Sequence, residues 1–343
     1  MSETRTGNEQ QTEERGGGFR RRALVGTIAA AVIFVTALSL AGDIGGVGKA
    51  LRAFDWKLAP IVLGLTLWNY AWRFVKWRRY LHALEVPSSG LKLDVLIYIS
   101  GYSMSVTPGK VGELIRSIFI RRLTGTPVNR VAAALVAERI TDAVAMLILA
   151  LIGLLEFNYG RPFVALTVVG FAVGIYLLRH PLVLHRLLDR ATRFPRFDRP
   201  IMHAHAFLDA SDALFAPKLF TQAVGIGVIS WSGECLAFFF VLYGLGMSAT
   251  WTLFLSATFI LAVSSLAGGV SLLPGGLGVT DATVAGMLVL LVDDPSMNRA
   301  VAAAATLIIR FATLWFAVLI GAIALATVQR KLKNHTEPQP AID

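Results

Sequence analysis

Two stretches decide the fold: Thr107-Pro108-Gly109-Lys110-Val111-Gly112 and Leu273-Pro274-Gly275-Gly276-Leu277-Gly278. Each interrupts a long apolar run with a Pro-Gly pair, which stops one helix and starts another. The first separates apolar pieces at about 93–107 and 111–120, the second pieces at about 252–273 and 276–292. Further apolar runs lie at about 23–41, 58–80, 131–155, 162–178, 219–246 and 300–328. A helical span needs roughly 20 apolar residues, and such runs fill nearly all of the 343-residue chain. Only 16% of residues are charged, against about 25% in a soluble domain, and mean hydropathy is +0.63. These figures exclude a soluble enzyme, a DNA-binding module and a disordered chain. The fold class they imply is an all-α polytopic integral membrane protein.

The pieces beside each break are short for a full span, so both broken segments read as re-entrant hairpins, leaving about six full spans. Basic residues then fix the orientation. One side receives 25 Lys and Arg, from 1–22, 73–92, 110–130, 179–218 and 329–343; the other receives Lys49, Arg52, Lys57, Arg161 and Arg299. Such a bias places the first side, with both termini, in the cytoplasm. The same bias accounts for the net charge of +10 without nucleic acid. The expected organisation is a disordered cytoplasmic tail over 1–22, a transmembrane domain over 23–330 and a cytoplasmic tail over 331–343. A second broken segment that spans twice would leave the orientation unchanged. A cleaved signal peptide is the rival reading of 23–41, since Ser39-Leu40-Ala41 resembles a cleavage site, but the run exceeds the usual ~7–15 residues of such a core. Segment 179–218 reads as amphipathic and interfacial, with Leu182, Leu184, Leu187 and Leu188 beside Arg186, Arg190 and Arg193.

The halves echo each other. After the two breaks, Asn129-Arg130 and an alanine run correspond to Asn298-Arg299 and an alanine run, then Arg139 to Arg310. Upstream, Trp68 and Tyr80 are spaced as Trp231 and Tyr243. The pattern predicts duplicated units at about 58–155 and 219–328, each a helix, a broken hairpin and a helix. One helix at 162–178 separates them, so the second unit enters from the opposite face. Inverted repeats with interrupted helices in matching places point to a transporter with its site where the repeats meet. Chance recurrence of Pro-Gly pairs is the plainer alternative.

Ionisable side chains within the apolar runs are the candidate site, because each is costly against lipid. They are Glu113 and Arg116 after the first break, then Glu138, Arg139 and Asp142, with Asp281 after the second break, Glu234 and Arg310. Salt bridges that merely lock helices together would explain them equally. As a site, Lys110, Arg116, Arg139 and Arg310 suit a phosphate, arginine as a planar fork and lysine as a point charge. The helix N-termini after Pro108-Gly109-Lys110, with Gly112, and after Pro274-Gly275-Gly276, with Gly278, add unpaired N–H groups. The candidate substrate-binding set is therefore Pro108, Gly109, Lys110, Gly112, Glu113, Arg116, Glu138, Arg139, Asp142, Pro274, Gly275, Gly276, Gly278, Asp281 and Arg310.

Pro108-Gly109-Lys110-Val111-Gly112-Glu113-Leu114-Ile115-Arg116 resembles the "PGR-x-GE-x-x-R" segment of the lysylphosphatidylglycerol synthase transmembrane-region family, also called flippase-like domain proteins. Glu138-Arg139-Ile140-Thr141-Asp142 is similar to its "ER-x-x-D" segment, and Pro274-Gly275-Gly276-Leu277-Gly278 to its "PGG-x-G" segment. Arg310 falls where the family has an arginine in the last span. The likeness covers about 23–330 and implies a domain that moves lipids, or lipid-linked intermediates, between leaflets. In the multiple peptide resistance factor such a domain precedes a soluble aminoacyl-transferring one, which has no counterpart in this sequence, so lysylphosphatidylglycerol synthesis is not carried over. Stand-alone relatives are associated with hopanoid lipids or polyprenyl-phosphate sugars. Asp281 stands where the family usually has glutamate, and Ala317 where a proline often follows the last arginine. Both departures bear on substrate identity.

No Walker A, His-Glu-x-x-His or Gly-x-Ser-x-Gly pattern occurs. His203 and His205 would point apart on a helix, and Cys235 stands alone. No metal or cofactor is expected. The expected function is thus non-enzymatic: translocation of an anionic phospholipid or polyprenyl-phosphate-linked lipid through a central polar cavity in the cell membrane. A membrane-embedded glycosyl- or phosphotransferase is the first alternative, with Asp43, Asp55, Glu156, Asp293 and Asp294 as outward acids. A small-anion carrier is the second. Membrane lipids are the expected partners; a homo-oligomer and a separate lipid-modifying enzyme stay open.

Overall fold

The computed structural model describes residues 44–107, 112–154, 213–271 and 273–336. The expectations for 1–22, the run 23–41, Pro108, Gly109, Lys110 and Val111, the helix 162–178, nearly all of 179–218, and the last residues of the tail lie outside these. Among the described residues the protein is all-helical.

α1 (Ile44–Ala53) precedes the first unit, which holds α2 (Ala59–Ala83), α3 (Leu91–Ser100), α4 (Ile115–Thr124) and α5 (Val128–Gly153). The second holds α6 (Pro217–Gly244), α7 (Trp251–Val270), α8 (Val279–Leu291), α9 (Arg299–Arg310) and α10 (Phe316–Thr336). Local chemistry sets many of these bounds. Proline opens α2 and α6 where its missing N–H costs nothing. Thr250 caps α7 by accepting from Leu253 N at 3.1 Å, and Asn298 caps α9 by accepting from Ala300 N and Val301 N, both at 3.0 Å. Asn129, its expected counterpart, is not a cap: it lies inside the first turn of α5, after Pro127.

Among the described residues four stretches are long and apolar enough to cross a membrane: Pro217–Gly244, Trp251–Val270, Pro274–Leu291 and Arg299–Leu332. Their outer faces are apolar and unburied, as at Leu290 (81% exposed) and Ile323 (62%). α2 and α5, at 25 and 26 residues, would extend about 37–39 Å at 1.5 Å per residue. Their charge, not their length, sets them apart from the four.

In each half a long helix, α2 or α6, is followed by an interrupted pair and a closing helix, α5 in one and α9–α10, continuous through Phe311–Trp315, in the other. α2 and α6 lie antiparallel along their whole length: Asp55 N donates to Gly244 O (2.9 Å), Asn69 meets Ser230, and Arg79 Nη1 donates to Gln222 Oε1 (3.1 Å). At the crossing, Asn69 Nδ2 donates to Ser230 O (3.1 Å) and Ser230 Oγ donates to Asn69 O (3.0 Å). Each unit's last helix packs on the other's broken pair. A Cβ on Gly153 of α5 would lie 2.7 Å from Leu255 O of α7. A Cβ on Gly321 of α10 would lie 2.3 Å from Ser103 N, just after α3. The aromatic landmarks are less equivalent, since Tyr80 is fully buried and Tyr243 is 45% exposed.

Candidate functional site

The second break is fully described. Gly275, Gly276 and Gly278 have φ of 60°, 66° and 83°, which an L side chain adopts only with strain. The resulting tight turn delivers the chain to α8, where Asp281 Oδ2 accepts from Gly278 N at 2.8 Å. Asp281 Oδ1 accepts from Arg310 Nε, while Arg310 Nη1 and Nη2 donate to Gly275 O (3.3 Å) and Gly276 O (3.2 Å). One guanidinium thus ties the turn, the start of α8 and the end of α9 together. Directly after it, Phe311–Trp315 forms a π-turn, a widening that disturbs the regular carbonyl ladder. Tyr70 of α2 donates to Thr313 O within it, at 2.5 Å. Gly275 also sits against the first unit: a Cβ there would be 3.7 Å from Val106 Cα, two residues before Pro108.

The first break leads into a buried charge cluster. Gly112 N donates to Thr107 Oγ1 (2.8 Å), and a Cβ on Gly112 would lie 2.3 Å from Met104 Cβ, so only glycine lets the chain pass. Glu113 follows, paired with Arg139 Nη2 at 2.7 Å and Arg116 Nη2 at 3.5 Å. Glu138 lies 3.5 Å from Arg116 Nη1 and 3.8 Å from Arg139 Nη2. Asp142 lies 4.0 Å from Arg139 Nη1. All three carboxylates are buried. Each break is therefore followed by a carboxylate that pairs with the arginine of its own unit's last helix: Glu113 with Arg139, Asp281 with Arg310.

Two members were not expected. Arg73 and Lys76 of α2 had been assigned to the cytoplasmic flank; they are 5% and 0% exposed. Arg73 Nη2 lies 3.0 Å from Glu138 and 3.2 Å from Asp142, and Lys76 Nζ pairs with Asp142. Gly227 makes room beside Lys76, its position facing Ala145 Cβ and Lys76 Nζ. The flank reading failed because Arg73 and Lys76 are followed at once by Arg78 and Arg79, which do lie at the surface. A signal was present: Thr66, Asn69, Arg73, Lys76 and Tyr80 recur every three or four residues, which puts one polar stripe on α2. Arg116 also leaves the flank count. Without these three the basic split is 22 to five, so the bias keeps its sign.

Aromatic rings complete the site. The Arg116 guanidinium carbon lies 4.1 Å from the centre of Tyr98 and 5.1 Å from that of Tyr102. Arg73 lies 5.8 Å from Tyr102 and 5.6 Å from Trp231 of α6. Such rings favour a desolvated cation. Tyr98 Oη donates to Glu138 Oε1 (3.3 Å) and Tyr102 Oη to Tyr98 Oη (2.9 Å). Among the described residues four cations thus face three carboxylates, and Arg116 Nε, Arg73 Nε and Asp142 Oδ2 make no hydrogen bond there. Only Arg139, with its side chain 30% exposed, reaches an outer surface. Of the expected set, Gly112, Glu113, Arg116, Glu138, Arg139 and Asp142 gather here, while Pro274, Gly275, Gly276, Gly278, Asp281 and Arg310 form the second, separate knot. Pro108, Gly109 and Lys110 lie outside the described residues. Glu234 is buried on α6, beside Cys235. No group of three metal-ligating side chains occurs among the described residues.

The family model described as the lysylphosphatidylglycerol synthase TM region matches residues 23–321. A UPF0104 membrane protein of Methanothermobacter thermautotrophicus is 22% identical over 342 residues, covering 89% of this chain and 93% of the relative. Another, from Pyrococcus horikoshii, is 21% identical over 285 residues, covering 75% and 83%.

Proposed function

Because this chain belongs to the lysylphosphatidylglycerol synthase TM-region family, we propose that it is a lipid translocase of the cell membrane. It moves an anionic phospholipid or a polyprenyl-phosphate-linked lipid between leaflets and carries out no covalent chemistry. The buried cluster of Arg73, Lys76, Arg116 and Arg139 against Glu113, Glu138 and Asp142 is the observation that carries this reading. Its surplus is one positive charge, and several guanidinium donors go unused. A phosphate diester supplies one negative charge and free oxygens that accept from a planar fork. Glu113, shared between Arg139 and Arg116, is the group that phosphate displaces, and partly exposed Arg139 is where the head group arrives. The acyl chains stay in the bilayer.

The two units are inverted repeats with re-entrant breaks, and both termini are cytoplasmic. The antiparallel α2–α6 pair supports the inversion, since equivalent helices of inverted units must run in opposite directions. Exchange of hydrogen bonds between Asn69 and Ser230 supports a pseudo-two-fold axis there, as a two-fold contact is self-complementary. The reciprocal seating of Gly153 and Gly321 supports it again. Gly275 of the second break sits against Val106, just before the first, which supports a site shared by both units. The substrate-binding set is the one named from sequence, enlarged by Arg73 and Lys76.

Proteoliposomes carrying fluorescent phosphatidylglycerol test the reading. Dithionite bleaching beyond the outer-leaflet half is expected, and Arg139→Gln should slow it at least tenfold. Chemical conversion of a polyprenyl-phosphate substrate would favour a transferase. Uptake of labelled phosphate without lipid movement would favour an anion carrier.

A further inference from the structure

A second basic feature lies outside the charge cluster. A groove of about 660 Å³ runs between the C-terminal half of α2 and the start of α6. Arg78, Arg79 and Lys218 stand along it, and Phe74, Leu91 and Leu219 are among the apolar side chains that line it. Among the described residues, none that lines it is acidic. Arg79 bonds only the neutral Gln222 amide, at 3.1 Å. The nearest pairing for Arg78 is Asp94 at 3.9 Å, and that carboxylate already accepts from Ser88 Oγ (2.6 Å) and Ser89 N (3.2 Å). Three cations therefore share an apolar groove with little neutralisation. Ordinary solvated lysines and arginines need no apolar floor, and a soluble phosphate makes no use of one.

We propose that this groove seats an anionic phospholipid of the adjoining leaflet. Its phosphate lies between Arg78, Arg79 and Lys218, and the upper part of its acyl chains lies on Phe74, Leu91 and Leu219. Charge complementarity fixes the head and the apolar floor fixes the tails. The site is distinct from the translocation cluster but close to it. Phe74 stacks on Tyr98 with ring centres 5.5 Å apart, and Tyr98 carries Arg116 on its ring. The proposal does not depend on the translocase reading, because it concerns binding alone.

Thermal unfolding of the full chain in detergent provides the test, with dioleoylphosphatidylglycerol, dioleoylphosphatidylcholine or glycerol 3-phosphate added. A ligand that binds only the folded form raises Tm by mass action, here on the order of 5 °C at saturating phosphatidylglycerol. The triple variant Arg78→Gln/Arg79→Gln/Lys218→Gln should fall to the phosphatidylcholine value. Arg121→Gln/Arg122→Gln, which removes exposed charges on α4, should keep the full shift. If the triple variant unfolds early without lipid, Arg79→Gln and Lys218→Gln singly carry the same comparison. A full shift in the groove variants, an equal loss in the α4 control, or an equal shift with glycerol 3-phosphate would each overturn the lipid seat.

Discussion

Asn69 and Ser230 each donate a side-chain hydrogen bond to the other's backbone carbonyl, at 3.1 and 3.0 Å, across the crossing of α2 and α6. Both residues are fully buried. The exchange fixes the register of two long antiparallel helices at one point, from which the charge cluster and both breaks take their places. A hydrogen bond of this kind contributes about 1 kcal/mol net, and a buried orphan costs about 1–3 kcal/mol. Ser230→Ala should therefore lower stability by about 1 kcal/mol. Asn69→Leu should cost more, through its larger side chain as well as its lost donor. A double-mutant cycle, read by thermal unfolding in detergent, should show coupling between the two, since they share one contact. Additivity would mean the two bonds do not act together.

The cluster is interdependent, so single neutralisations there should be severe. Lys76→Met leaves buried Asp142 with Arg73 as its close partner. Breaking a buried pair costs about 3–5 kcal/mol. Neutralising both partners, Lys76→Met with Asp142→Asn, should recover most of that loss, because no charge is then orphaned. Tm values of the two variants decide it: the double variant should melt higher than the single.

Much of this architecture was legible in the sequence, and the exceptions have physical causes. Proline and glycine act locally, so both breaks could be placed before any contact was known. Positions of Glu138, Arg139 and Asp142 within an apolar run were legible for the same reason: charge in such a run is costly whatever its partner. Arg73 and Lys76 were hidden because burial is a tertiary property, and nothing in Arg73-Phe74-Val75-Lys76-Trp77-Arg78-Arg79 separates the inward pair from the outward one except helical phase. The partner of Arg310 could not be read from sequence, since Asp281 lies 29 positions away. The assignment of Tyr80 and Tyr243 as equivalents rested on spacing alone and does not carry into equivalent surroundings.

The three glycines of the second break should not be equally sensitive. All have positive φ, so alanine costs about 1 kcal/mol of backbone strain at each. Gly278 has open space where a Cβ would go, whereas a Cβ on Gly276 would lie 2.6 Å from Thr280 Oγ1 and 3.2 Å from Gly268 Cα. Gly276→Ala should lower Tm more than Gly278→Ala. Equal effects would mean that strain alone matters at this turn.

Asp294 joins the α6–α7 and α8–α9 loops and gives a pH dependence. Hydrogen bonds from Ser296 N and then from Ser248 N hold its carboxyl below the usual carboxylate range. A carboxyl depressed by folding contributes stability above its unfolded pKa of about 3.9 and loses it as pH falls through the folded value. Amide exchange at Ser248 and Ser296 should therefore be protected at neutral pH and lose protection only below about pH 4. Asp294→Asn should lose it at all pH values. Protection that survives the substitution would place the loop junction elsewhere.

Arg310 offers the sharpest separation of a clamp from a contact with substrate. Its guanidinium meets three acceptors of the protein itself: Asp281 through Nε, Gly275 O through Nη1 and Gly276 O through Nη2. These donors leave the plane of one fork in three directions, and an ammonium on a flexible stem cannot reach all three acceptors together. Arg310→Lys should keep the ion pair with Asp281 and release one or both turn carbonyls. The turn would then lose its anchor while the chain still inserts. Because the arginine is already satisfied by protein groups, the loss should appear as slower transport without a comparable loss of lipid binding. A residue that held the head group would lose both. Arg139, partly exposed and sharing Glu113 with Arg116, is expected to behave in that second way. Comparing Arg310→Lys with Arg139→Lys in one liposome assay, with lipid binding measured in parallel, therefore tests the division of labour between the two knots. If Arg310→Lys weakens binding as much as Arg139→Lys does, the second break belongs to the binding surface and the clamp reading is wrong.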